Sequence, residues 1–269
     1  MSATIGLQLY TIRDDIAADP LRALERVAQL GFRSVEPYGL PALADTFVAG
    51  LAASGLAAPS AHASIIGRDP AAPPELRATL DAAERLGVRT VIEPSTPAAA
   101  WLHGDRIQRM ADTLNAAAEA GADRGIRIGY HNHDGELRAR AGGMSALEHF
   151  AGLLDPRIVL EIDAYWVLAG GEPLLPLLGR LADRIRFLHV KDGLLEGDLA
   201  AQPAAGTGAP PAHLAGQVDA GTGVVPLEEA LAALPGLEHA IVEFDAYTGD
   251  LERGITAGRD FLLARGCTA

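Results

Sequence analysis

Seven short apolar runs in this chain close on a side chain able to bind a cation or move a proton: Glu36, His62, Glu93, His131, Asp163, His189 and Glu243. Solubility does not require this, since a polar residue anywhere on the surface would serve. A carboxylate or imidazole carried into an apolar interior is costly without a partner. Several on one rim therefore suggest a shared cation that compensates them. The most informative run is Gly129-Tyr-His-Asn-His-Asp134. Residues i and i+2 of a strand point to one face, which would aim His131 and His133 into the same space. As an isolated pair they would read as one structural and one solvent-facing histidine. With Asp163, His189 and Glu243 at other strand ends, imidazoles and carboxylates come together, a donor set that suits Mn, Zn, Fe or Co.

Lys191 is the only lysine and lies two residues after His189, on the same face. It would either pair with an acidic neighbour or act on substrate, steadying an enolate oxygen or relaying a proton. Glu161, two before Asp163, is expected to make an ion pair deeper inside. Tyr165 and Trp166 follow Asp163, where an aromatic ring either stacks on a sugar face or packs.

These residues need elements that bring their ends together. With the opening Thr4–Tyr10 run, the closing runs make eight short strands: Gly31–Glu36, Gly55–His62, Gly87–Glu93, Gly125–His131, Pro156–Asp163, Asp183–His189 and Leu237–Glu243. Helical spacing fills the intervals. Asp19-Pro20 caps a helix with Leu21, Leu24, Val27, Ala28 and Leu30 on one face and Gly31 as its stop. Further helices are predicted at Pro73–Leu86, Asp105–Arg124, Met144–Leu154, Glu172–Leu181, Pro226–Leu234 and Leu251–Arg265. Strands alternating with helices imply a parallel sheet, since parallel neighbours need long crossovers. Nearly wholly apolar strands imply that both faces are covered. Eight such units in 269 residues suit a single α/β domain, a (β/α)8 TIM barrel over residues 1–269. An open doubly wound sheet usually carries a Gly-rich turn after its first strand, and Tyr10-Thr-Ile-Arg-Asp-Asp15 has none. A Gly/Ala/Pro-rich insertion at about 193–223 follows the seventh strand. It is either a lid over the barrel mouth or an insertion without a role.

Lys and Arg total 22 against 35 Asp and Glu, a formal charge of −13, and no basic cluster stands out. Such a chain repels phosphate backbones, so no nucleic-acid partner is expected. No apolar run reaches the roughly 20 residues of a membrane span, and the first residues lack a signal-peptide pattern. No membrane association and a cytoplasmic location are expected. The single cysteine, Cys267, excludes an internal disulfide framework and a multi-cysteine metal site.

At these residues the chain resembles the xylose isomerase-like barrel superfamily, known broadly as sugar phosphate isomerases/epimerases. LQLYTIRD, GFRSVEPYG, YHNHDGEL, LEIDAYW, HVKD and VEFD carry the resemblance over nearly the whole length, YHNHD and HVKD most specifically. It implies one divalent metal ion (Mn, Zn, Co, Fe or Mg) held at the ends of strands five to eight. The implied ligands are His131, Asp163, His189 and Glu243. In ketose epimerases the first position is Glu. His131 departs from that, as in members resembling inosose dehydratase, so a two-glutamate epimerisation is in question. Whether His131 or His133 takes the ligand place stays open.

The resemblance loosely implies His133, Glu36 and His62 at substrate-contacting positions; with the residue chemistry above, Glu243, His133 and Lys191 are expected to be catalytic and Glu36, His62 and Trp166 to contact substrate. The expected function is a metal-dependent isomerase or epimerase that abstracts a proton next to a sugar carbonyl. A dehydratase of the inosose dehydratase kind is the alternative. Behind them stand an endonuclease IV-like nuclease, which the acidity opposes, and a non-catalytic sugar-binding barrel. The expected partner is a small-molecule carbohydrate, with a homodimer left open.

Overall fold

The computed structural model describes residues 3–67, 75–195 and 216–269. Eight strands form one parallel sheet: β1 (Thr4–Gln8), β2 (Ser34–Glu36), β3 (Ser60–His62), β4 (Thr90–Glu93), β5 (Arg127–His131), β6 (Val159–Asp163), β7 (Ile185–Val190) and β8 (His239–Val242). Their order is β2-β1-β8-β7-β6-β5-β4-β3. The two ends of that sheet meet. Val35 N donates to Ala57 O at 2.9 Å and His62 N to Pro37 O at 2.8 Å, and Leu40 bridges Ala63 in parallel. The sheet thus curls into a nearly closed (β/α)8 barrel.

The outer helices are α1 (Pro20–Gln29), α2 (Ala44–Ser54), α3 (Leu76–Leu86), α4 (Gly104–Ala122), α5 (Ala146–Leu153), α6 (Leu174–Leu181), α7 (Leu227–Ala232) and α8 (Leu251–Leu263). The Asp19 cap is present: its carboxylate accepts from Arg22 N at 3.1 Å. The expected start of α3 at Pro73 falls outside the described residues. Of these outer helices, α2 alone is not expected from the sequence. Its sequence, ADTFVAGLAAS, is apolar nearly all round, so it shows no polar face to mark a period. A Cβ on its Gly50 would lie 2.3 Å from Leu24 Cδ1, so glycine lets α1 and α2 approach.

Inside the barrel, alternation along three neighbouring strands builds a gradient from floor to mouth. Val159, Glu161 and Asp163 follow one another on β6. Phe187 and His189 do so on β7, with Lys191 just past its end, and Ile241 on β8 is followed past the strand end by Glu243 and Asp245. The floor is an apolar cluster of Ile92, Val159, Phe187 and Ile241. Above it come imidazoles and carboxylates, and above those the acids that surround Lys191.

Beyond β7 the chain makes a short antiparallel pair, Asp192–Gly193 with Gln217–Val218. Most of the expected insertion, residues 196–215, lies outside the described residues, and so does the reading of it as lid or spacer. Its base is ordered by one side chain. Buried Asp192 accepts backbone hydrogen bonds from Gly193, Gly221, Gly223 and Val225 at 2.8–3.1 Å. A Cβ on Gly223 would fall 2.2 Å from Asp192 Oδ1, so this clasp needs glycine there.

Candidate active site

The strand ends bring two overlapping groups of ligand-type side chains together. His131, Asp163, His189 and Glu243 form one; His62, His131, Glu161 and His189 form the other. Within each group the ligand atoms lie within 4.8 Å of one another, and every residue is buried. The four residues expected to hold a metal therefore converge. Two imidazoles and two carboxylates offer the nitrogen and oxygen donors that a borderline divalent ion takes.

At the mouth, Lys191 Nζ lies 2.8 Å from Asp163 Oδ2, 2.8 Å from Glu243 Oε2 and 2.6 Å from Asp245 Oδ2. Its three N–H groups thus meet three carboxylates. Burial opposes its charge, yet Asp163, Asp245 and Glu243 together hold its pKa well above the ordinary lysine value. Asp163 is fixed from both sides. Trp166 N donates to its Oδ1 at 2.9 Å, and its own N donates to Asn132 Oδ1 at 2.9 Å. Burial raises the Asp163 pKa to about 6 against the pull of Lys191. Glu243 is pulled the other way. Burial disfavours its charge, but Lys191 and His189 hold it well below the carboxylate range.

One layer deeper, Glu161 Oε2 is surrounded by imidazole nitrogens: His62 Nε2 at 2.7 Å, His131 Nδ1 at 3.1 Å and His189 Nε2 at 3.2 Å. This is the deeper ion pair expected for Glu161, extended to three partners. His189 faces both layers, with Nδ1 2.7 Å from Glu243 Oε2 and Nε2 3.0 Å from Glu36 Oε1. Burial opposes charge on His62, but Glu36 and Glu161 push its pKa up to about 10. His131 goes the other way, well below the ordinary value, through burial and the neighbouring His189.

The remaining expected residues are placed as follows. Glu36 is 1% exposed; it accepts from Gln8 Nε2 at 2.7 Å and from Ser60 Oγ, and it faces His62 and His189. Trp166 is also 1% exposed; its ring lies 5.5 Å from that of His133 and 5.5 Å from Lys191 Nζ. His133 sits past the end of β5, so strand alternation does not place it. It still stands against His131, ring centroids 5.1 Å apart. Among the described residues its Nδ1 has no hydrogen-bond partner. Burial lowers its pKa, so the ring is neutral with a free lone pair at neutral pH.

Sequence reasoning passed over several groups. Asp245 completes the acid set around Lys191, and Gln217 Nε2 donates to it at 3.1 Å. A repeat of the i+2 step from Glu243 would have found it. Glu136 accepts from Tyr130 Oη and His133 N, each at 2.8 Å. It lies within the HNHDGE run but on the short helix Gly135–Arg138, past the strand, so strand alternation does not mark it. Glu93 closes β4. Its Oε2 accepts from Ile65 N at 2.6 Å and Ile66 N at 2.7 Å, and burial raises its pKa to about 7.

Comparison with known proteins agrees with this architecture. The family model described as "Xylose isomerase-like TIM barrel" matches residues 24–265. Inosose dehydratase of Geobacillus kaustophilus is 34% identical over 86 residues, which is 32% of this chain and 27% of that protein. The match to this curated relative thus spans about a quarter of its length. A sugar phosphate isomerase/epimerase from Parabacteroides distasonis superposes with a TM-score of 0.74 at 20% identity, over 98% of this chain and 94% of that one. The IOLI protein with a binding zinc atom superposes at 0.68, 13% identical, over 98% of both chains. At these identities the superpositions show a shared fold. Among the described residues no helix is long and apolar enough to cross a membrane.

Proposed function

The chain belongs to the xylose isomerase-like TIM barrel family, and from that premise we propose that it is a divalent-metal-dependent enzyme that abstracts a proton beside the carbonyl of a keto-sugar or related polyol. Isomerisation or epimerisation is the outcome we favour. The observation that carries the reading is the buried convergence of His131, Asp163, His189 and Glu243 beside Lys191. The quartet fits a divalent ion by its donor chemistry: two imidazoles and two carboxylates, all buried, with ligand atoms within 4.8 Å of one another. A bound ion would act as a Lewis acid on substrate oxygens and acidify the carbon beside the carbonyl.

The chain's own groups divide the remaining work. His133 is the proton acceptor: it is neutral, its Nδ1 is unengaged, and it stands at the rim beside the quartet. Glu243 is held ionised by Lys191 and His189 and is the weaker base. It serves as a ligand and as the second proton-handling group. Lys191 keeps its proton and offsets negative charge that develops on an enolate oxygen. Trp166 backs His133 and Lys191 and limits water around them. Glu36 and His62, expected as substrate contacts, stand one layer below the mouth against His189 and Glu161 and support the quartet from beneath.

Dehydration is the second reading. It is favoured by one observation: the two proton-handling groups are unlike, an imidazole and a carboxylate, rather than two glutamates. The partial match to inosose dehydratase supports the same alternative. Both readings begin with the same abstraction.

The experiment is a panel of ketoses and inososes assayed with His133→Gln and Glu243→Gln. Loss of turnover with metal content retained in His133→Gln, and loss of both in Glu243→Gln, is the expected pattern. Full turnover by His133→Gln would remove His133 from the reaction.

A further inference from the structure

We propose that the barrel holds a second divalent-cation position, one layer below the mouth, formed by His62, His131, Glu161 and His189. It does not rest on the catalytic reading of the mouth and uses two residues, His62 and Glu161, that the mouth quartet lacks.

The geometry carries it. One carboxylate oxygen, Glu161 Oε2, faces three imidazole nitrogens at 2.7, 3.1 and 3.2 Å. A carboxylate oxygen has two lone pairs, so three aligned N–H donors are more than it can accept well. The result is visible as two orphans. His131 Nδ1 and Glu161 Oε1 are buried without hydrogen-bond partners among the described residues. The two residues are 2% and 0% exposed. Buried polar atoms are rarely left so, because the desolvation cost is not recovered. A cation at the centre would instead accept lone pairs from His62 Nε2, His131 Nδ1, His189 Nε2 and the Glu161 carboxylate.

The spacing agrees. Four ligand atoms about 2.0 Å from a zinc-class ion stand about 3.3 Å apart in a tetrahedron. The nitrogen-to-oxygen separations here need to open only slightly, and all four ligand atoms already lie within 4.8 Å of one another. Three nitrogens and one oxygen is a softer donor set than the two nitrogens and two oxygens above, so zinc and cobalt suit it better than magnesium. Glu36 stands beside it. Its Oε1 is 3.0 Å from His189 Nε2 and 3.1 Å from His62 Nε2, and Gln8 and Ser60 hold it in place. It adds negative charge to the cavity wall without being needed as a ligand.

His189 is the residue that lets both positions exist. Its Nδ1 looks to Glu243 and its Nε2 to Glu161. One ring thus presents one nitrogen to each layer.

Cobalt(II) is the probe, since four-coordinate cobalt absorbs far more strongly in the visible than six-coordinate cobalt. The mouth is disabled with Asp163→Asn and Glu243→Gln, and bound cobalt is counted by elemental analysis on protein shown to be folded by circular dichroism. One cobalt per chain with an intense visible band is expected, and both are lost when Glu161→Gln is added. A folded double variant that binds no cobalt overturns the proposal, as does binding that Glu161→Gln leaves unchanged. Should the double variant not fold, Glu161→Gln in the otherwise unaltered chain decides. Bound cobalt is then expected to fall by one per chain relative to the parent, and an unchanged cobalt content overturns the proposal. Failure of the mouth reading shows separately, as turnover that survives chelation.

Discussion

Two layers of ionisable groups, stacked along the same strands, solve the problem of buried charge in opposite ways. In the deep layer imidazoles balance carboxylates, and Glu161 is the hub. At the mouth a single ammonium, Lys191, balances Asp163, Glu243 and Asp245. The deep layer shares its positive charge between the rings of His62 and His189, so losing one leaves the other. The mouth concentrates its positive charge in the one lysine of the chain. The deep layer, its charge shared among fixed partners, is suited to a permanent arrangement, with or without a cation among them. The half that depends on one ammonium is suited to take a metal ion beside it and to respond to substrate.

Lys191→Met breaks this contrast most severely. It strands three carboxylates around a buried apolar tip, and losing one partner of such a set costs about 3–5 kcal/mol. Urea unfolding in chelator is expected to show that loss, and added Mn or Zn is expected to restore much of it, because a dication can take over the compensation. If the ions restore nothing, the mouth does not bind them with those acids.

Glu93 gives the next largest effect, as a pH dependence. Its pKa is raised from 4.5 to about 7 by burial, against its bonds to Ile65 N and Ile66 N. A carboxyl that holds its proton more tightly when folded makes the fold less stable as pH rises from about 4.5 to about 7, after which the penalty is constant. Glu93→Gln keeps the acceptor and removes the ionisation. Relative to the parent, its stability is expected to rise across that window, reaching a gain of about 1–3 kcal/mol by pH 8. Parallel unfolding curves at pH 5 and pH 8 check it, and an unchanged difference would contradict it.

Asp192→Ala is the smallest change. It leaves four backbone N–H groups without their acceptor at the base of the β7 excursion. Some are then solvated, so the global cost is about 1–2 kcal/mol. Amide hydrogen exchange is expected to quicken at residues 217–225 and to stay unchanged in the deep layer.

Much of this arrangement was legible in the sequence, and for definite reasons. The strands are short apolar runs whose last residue ionises, so Glu36, His62, His131, Asp163 and His189 marked both the element and the site. Lys191 and Glu161 followed from the two-residue period. What escaped has equally definite causes. Helix α2 has no polar face, so its period is silent. His133 was expected beside His131 and is found there, but the reason differs: it lies beyond the last residue of β5, and the turn that Glu136 ties down by accepting from its backbone brings the rings together. Asp192 gave no signal, because its partners are backbone N–H groups about 30 residues away. The sharing of His189 between layers depends on ring orientation, which no spacing encodes.

The central claim is that the mouth quartet, with a divalent ion, removes a proton beside a carbonyl. It is tested most directly by incubating the metal-loaded protein with ketoses and inososes in deuterium oxide and following the hydrogen beside the carbonyl by NMR. Isomerisation, epimerisation and dehydration all begin there, so the readout does not depend on which follows. Deuterium incorporation, or loss of that hydrogen on dehydration, is expected for at least one substrate. It is expected to vanish in chelator and in Asp163→Ala, whose metal content should fall with it. Exchange or turnover at the full rate in chelated protein would contradict the account.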